Sequence, residues 1–266
     1  MKVSVESLKN AVIEKKNQLS YINLDEDNKY QGWTHDFGLV LPDKKKMELN
    51  LHDTSDRFLL FVLASSWSRT GQWENATFFV TYLKEQKKHH VEHWLDEKFV
   101  EEEKKNSKNA AKYATAHYEG IVSRRKISFR VDFYDSCMVL AKNWNRIEEH
   151  LERSELSNDY RIFIEYISNV KGLGARENKM KIKIPLILRE LRCQGVYKHI
   201  PGEFCCVTDK RVIDAAKKMG MNELKNNTLI NIIKSSETIY DNFGDLYDIP
   251  LFAYEDLIEK SKEGEF

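Results

Sequence analysis

Two short stretches carry the residues best suited to chemistry. Gly172-Leu173-Gly174 stands between two segments whose apolar residues have helical spacing. A glycine pair at such a junction exposes backbone N–H groups that can hold a phosphate. Further along, Cys206-Val207-Thr208-Asp209-Lys210-Arg211-Val212 leads into another helix, with Asp209 at its mouth. A carboxylate placed there can stabilise a developing positive charge or activate a nucleophile. It can equally be the N-cap of the helix that follows, a common role for aspartate. His89-His90-Val91-Glu92-His93 sets two histidines at i and i+4, the spacing of a metal-binding pair. It has neither the zinc-protease pattern nor a visible third ligand, so a solvated polar helix face is the simpler reading, and no metal is expected. Lys104-Lys105 and Ser123-Arg124-Arg125-Lys126 could meet phosphate, although charge runs are usually solvated faces.

The elements that must position these residues read as helices. Val3, Val5, Leu8, Val12 and Ile13 predict one over residues 3–17. Residues 19–50 mix Tyr, Trp and Phe with Asp, Asn and Gly and read as loop or short strand. Phe58, Leu59, Phe61, Val62 and Leu63 begin a strongly apolar helix. A polar, Trp-bearing turn over 65–76 separates it from a second, running from Phe78 to Leu95. Residues 97–112 read as a solvated helix, residues 129–151 as one or two amphipathic helices, and residues 160–170 as another. The run 175–193 is helix-compatible, with a kink or restart at Pro185 and a stop at Gly195. A helix over 211–219 is stopped by Gly220, one or two more fill 222–240, and Asp248-Ile249-Pro250 introduces a short last one ending near Lys260. No internal repeat or low-complexity stretch interrupts this. Only 11 Gly and 4 Pro punctuate 266 residues, which favours long helices over a many-stranded sandwich. The expectation is an all-α fold.

Composition narrows the classes further. The length allows one large domain or two lobes. Basic and acidic residues balance at 42 each, so any nucleic-acid surface must come from uneven distribution rather than total charge. The four cysteines Cys137, Cys193, Cys205 and Cys206 form no CxxC pair, which argues against a zinc ribbon or iron–sulfur cluster. No run of 18 apolar residues occurs and the start MKVSVESLKN is not an apolar leader, so the expected place is the cytosol or a nucleoid-like compartment, away from membranes.

Taken in order, four features resemble the helix-hairpin-helix DNA glycosylases, the superfamily that includes endonuclease III and the archaeal 8-oxoguanine glycosylases. They are FLLFVLASSWSRTGQWENA at 58–76, the hairpin YISNVKGLGAR, the basic helix start after it, and CCVTDKRVIDAAKKMGM. The last is similar to the family's Val-Asp-x-His/Arg-Val segment. The resemblance spans roughly residues 56–221, and it rests on order and spacing rather than on any one motif.

The resemblance implies a two-lobed helix-hairpin-helix glycosylase fold with the active site in a cleft between lobes. Residues 55–200 would form a helical barrel lobe with the hairpin. Residues 201–266 would form a C-terminal lobe, with 1–54 packed against it. The chain would act as a monomer on double-stranded DNA containing a damaged base, with no cofactor. By resemblance Gly172, Leu173, Gly174 and Arg176 contact the DNA, and Trp67, Arg69, Gln72 and Trp73 probe or stack on the extruded base. The two tryptophans could equally pack in the core. Residues 250–256, Pro-Leu-Phe-Ala-Tyr-Glu-Asp, could close the base pocket.

Asp209 would be the catalytic carboxylate. Cleaving the base–sugar bond builds positive charge on the sugar, as in glycoside hydrolysis. Bifunctional members also use a lysine, two residues past the second hairpin glycine, as a Schiff-base nucleophile. Here that slot is Arg176, which cannot lose its proton. Lys179 follows about a turn later, with Lys181 and Lys183 behind it. The gap of 30 residues from Lys179 to Asp209 is closer to that of the archaeal enzymes. Lys179 is the expected nucleophile, β-elimination the expected second activity and 8-oxoguanine the leading substrate. Without a lysine, Asp209 would act with water. Two other readings stand beside this one, a non-catalytic helix-hairpin-helix DNA-binding protein and a helical protein–protein adaptor.

Overall fold

A computed structural model describes residues 3–19, 21–67, 73–120, 126–173 and 183–259. Arg69, Gln72, Gly174, Arg176, Lys179 and Lys181, all expected to belong to the site, lie outside the described residues. The described chain is mostly helical. In order it forms α1 (Val5–Glu14), β1 (Leu39–Val40), α2 (Thr54–Ser66), α3 (Trp73–Glu85), a 3₁₀ turn (Val91–Leu95), α4 (Glu97–His117) and β2 (Glu119–Gly120). There follow α5 (Val131–Ser157), α6 (Arg161–Ile167), α7 (Lys183–Cys193), a 3₁₀ turn (Gly202–Phe204), α8 (Lys210–Met219), α9 (Leu229–Phe243) and α10 (Ile249–Phe252). The chain divides into two compact units. One, the mid-chain unit, holds the described residues of Thr34–Ser157 and Arg161–Leu173; the other, the terminal unit, holds those of Met1–Trp33, Asn158–Tyr160 and Gly174–Phe266.

The mid-chain unit is built around α2. That helix is apolar nearly all round, and a helix of that kind has to be covered on every side. It packs on α3 and α5, and α5 in turn carries α4 and α6. Aromatic rings fill the space: Trp144 meets Phe58 and Phe61 edge-on, each at 5.3 Å, and Phe79 meets Phe129, Phe133 and Tyr134. Asp53 caps α2, accepting from the Ser55 and Asp56 amides. The only regular sheet among the described residues is the two-residue antiparallel pair of β1 and β2.

Three elements differ from expectation here. Starting already at Trp73, α3 ends at Glu85 instead of continuing to Leu95. Lys87 takes a left-handed φ of 54°, and the Lys88 N–H turns back to the Leu83 carbonyl at 2.7 Å, which closes the helix as a glycine C-cap would. The second departure is α4, which is longer than residues 97–112 and is not solvated all round. Val100, Glu103, Ser107, Ala110, Ala111 and Ala114 lie on a buried face, where small side chains allow close packing. Lastly, α5 is one unbroken helix.

In the terminal unit, α1 packs on α9 and α10, and α8 on α10. Starting at Lys183, α7 places Pro185 in its first turn, where the missing N–H would have had no partner anyway. Asp209 caps α8 at its start, and Gly220, with φ of 99°, ends it. After an irregular stretch and a Thr228 cap, α9 begins later than residue 222. The short α10 is followed by a π turn over Glu255–Glu259.

Candidate active site

Asp209 is the predicted site residue that the structure describes most fully. Its Oδ1 accepts the Val212 N–H at 2.9 Å, and its backbone oxygen accepts the Ile213 N–H at 3.0 Å. The residue is half-exposed. Oδ2 takes no hydrogen bond among the described residues. The catalytic and the capping readings of Asp209 are therefore compatible, because the cap uses one oxygen only.

The run leading to Asp209 is buried and outside any helix or strand, so its backbone groups need partners other than water. Side chains from three places supply them. The Cys206 N–H donates to Ser236 Oγ on α9 at 3.1 Å, and the Val207 N–H to Asp248 Oδ1 at 2.8 Å. The Thr208 carbonyl accepts from Asn226 Nδ2 at 2.8 Å. Thr208 is itself fully buried, and its hydroxyl finds no partner among the described residues.

Asp248 connects this run to α7. Its Oδ1 also accepts Arg189 Nη1 at 2.8 Å, and both side chains are at most 5% exposed. Burial pushes the Asp248 carboxyl above the ordinary aspartate value, against the pull of Arg189 and the Val207 N–H; the nearby charge of Asp209 adds to the rise. The Arg189 guanidinium lies 5.0 Å over the Tyr30 ring, and its Nε is buried without a partner among the described residues. Next along, Glu190 is completely buried and accepts the Trp33 N–H at 3.0 Å. The N-terminal segment is thus fastened to α7 through a carboxylate.

Arg211, the basic residue of the family-like segment, is tied down too. It pairs with Asp256 at 2.7 Å and lies 4.2 Å over the Phe252 ring. Tyr21 donates its hydroxyl to the same Asp256 and meets Phe252 edge-on at 5.3 Å. Phe252 and Asp256, from the stretch expected to close a base pocket, contact Arg211 and Tyr21.

In the mid-chain unit, Gly172 adopts φ of 94°, a conformation that favours glycine, and it is exposed together with Lys171. Leu173 is buried, as is Val170, and the Leu173 N–H donates to the Val170 carbonyl at 3.1 Å. Two apolar side chains therefore anchor the turn. The Leu173 side chain is turned inward, so at this turn only its backbone could face outward. Trp67 and Trp73 are half-buried and pair edge-on at 4.8 Å. Of the lysine candidates, Lys183 is the first residue of α7.

His89 stacks on His90 at 4.5 Å, and His90 meets His93 edge-on at 5.6 Å. Among the described residues no group of three or more His, Cys, Asp or Glu is arranged to hold a metal. No described helix is long and apolar enough to cross a membrane. An open polar depression of about 190 Å³ is lined by Lys29, Tyr30, Gln31, Arg192, Tyr197 and Lys198 among others, and contains none of the predicted residues.

Sequence reasoning missed Arg189, Glu190 and Asp248. A signal was present: an adjacent Arg-Glu pair stands within the apolar run Ile184 to Leu191, and charges buried with such a run need partners. No family model, curated protein or solved structure matches the chain.

Proposed function

We propose that the chain is a DNA glycosylase of the helix-hairpin-helix kind, removing a damaged base after the nucleotide is turned out of the duplex. Asp209 is the carboxylate that meets the positive charge developing on the sugar. A lysine at or just before the start of α7 attacks the anomeric carbon as a neutral amine. The carbon–nitrogen bond to the base breaks and the base leaves with a proton; the bond from the anomeric carbon to the ring oxygen then breaks, that oxygen taking a proton from the amine, and the resulting open-chain Schiff base undergoes the β-elimination that nicks the strand. The observation that carries this reading is the half-exposed Asp209 carboxylate, fixed at a helix start with Oδ2 outside the cap. The exposed left-handed turn at Gly172, anchored by Val170 and Leu173, supports it as a phosphate grip.

The test is a panel of duplexes, each with one lesion: 8-oxoguanine, uracil, thymine glycol or an alkylated purine. Base release from one of them, abolished in Asp209→Asn with duplex affinity intact, is the expected result. Borohydride should trap a covalent complex that is lost in a lysine-to-glutamine variant at 179, 181 or 183. Salt-dependent DNA binding without release from any lesion would leave a binding module instead, and no DNA binding at all a protein–protein adaptor.

A further inference from the structure

We infer that Asp248, held by Arg189, is a positioning residue that sets where the Asp209 carboxylate stands. The inference rests on the glycosylase reading for its consequence, though not for its geometry. One oxygen, Asp248 Oδ1, receives both Arg189 Nη1 and the Val207 N–H at 2.8 Å. Val207 is two residues from Asp209. Thr208 between them is held by Asn226, and Cys206 before them by Ser236. A run pinned at three successive residues has little freedom to slide, and the residue that follows them is the cap of α8. Any displacement of Val207 is passed along two bonded residues to the carboxylate.

The pair is also costly in a way that a purely structural contact would not need. Burying two ions carries a desolvation penalty, and apolar residues of similar volume often replace such a pair without loss of stability. Arg189 additionally leaves its Nε donor buried and unmatched among the described residues. What apolar side chains could not do is accept the Val207 N–H. Small misplacements of a reacting group slow chemistry far more than they weaken binding.

The experiment compares wild type with the double variant Arg189→Met, Asp248→Leu. Urea unfolding checks the fold, amide resonances of Val207 and Val212 report the cap, and single-turnover base release is measured beside duplex affinity. The expected result is a folded protein with shifted Val207 and Val212 resonances, unchanged duplex affinity and base release slower by about tenfold or more. Wild-type release, or an unmoved Val212 resonance, would overturn the inference. If wild type itself releases no base, the glycosylase reading fails, while a moved Val212 resonance still upholds the positioning. Should the double variant not fold, Arg189→Lys decides: it weakens the hold on Asp248 with both charges kept, and base release together with a Val212 resonance like wild type would overturn the inference.

Discussion

Asp209 Oδ1 lies 2.9 Å from the Val212 backbone nitrogen and closes the first turn of α8. One side chain thus has a structural task that asparagine can perform and a proposed chemical task that it cannot. Asp209→Asn should change stability by less than about 0.5 kcal/mol, whereas Asp209→Ala should cost about 1 kcal/mol through loss of the cap. Both should lose base release and keep duplex affinity. Urea midpoints and single-turnover assays on the same preparations check this. An asparagine variant that works at the wild-type rate would remove Asp209 from the chemistry.

Much of this was readable from sequence because it is local. A helix between Asp209 and Gly220 needs only a cap, a periodic apolar face and a left-handed stop, and α8 has all three. The all-round apolar character of residues 58–64 similarly marks α2 as a buried helix. The end of α3 was not readable. Nothing in Glu85-Gln86-Lys87-Lys88 forbids a helix; the chain turns there while Lys88 pairs with Glu103, 15 residues away. The Arg189–Asp248 pair spans 59 residues and depends on α7 meeting the residue just before α10, which no window of sequence displays.

Gly32 occupies φ of 78°, and a Cβ there would come within 2.5 Å of Glu190 Oε2. Glu190 cannot swing away easily, being fully buried and bonded to the Trp33 N–H. Gly32→Ala should therefore combine backbone strain with a displaced buried carboxylate, and cost about 2–3 kcal/mol. Urea unfolding measures this. A loss below about 0.5 kcal/mol would mean that the N-terminal segment is not fastened to α7 as described.

Lys88 and Glu103 join the turn after α3 to α4, with Nζ at 2.7 and 2.9 Å from the two carboxylate oxygens and at 3.1 Å from the Tyr82 hydroxyl. The lysine side chain is 22% exposed and the glutamate 8%. Glu103→Leu leaves the ammonium without its main partner, but partial exposure lets water compensate. The expected loss is about 2 kcal/mol, below the roughly 3–5 kcal/mol of a fully buried pair. Adding Lys88→Met should recover part of it, and a thermodynamic cycle over the four proteins measures the coupling.

Alkaline pH should unfold the protein through its tyrosines. Burial, reinforced for Tyr118 by Glu85 and for Tyr134 by Glu103, pushes both hydroxyls well above the ordinary tyrosine value. A group whose pKa is raised in the folded state contributes stability that is complete below the unfolded value, about 10, and is lost as pH rises beyond it. Each such tyrosine should lower stability by about 1.4 kcal/mol per pH unit there. Lys88 acts in the same direction: burial alone would lower it, but Glu103 and Tyr82 together hold it above the ordinary lysine value. Tyr134 isolates the effect, because its hydroxyl is buried with no hydrogen-bond partner among the described residues. Tyr134→Phe should be neutral or slightly stabilising at pH 7 and should flatten the alkaline slope of the urea midpoint. A wild-type slope in that variant would mean that the Tyr134 hydroxyl ionises in the folded protein as readily as in the unfolded chain.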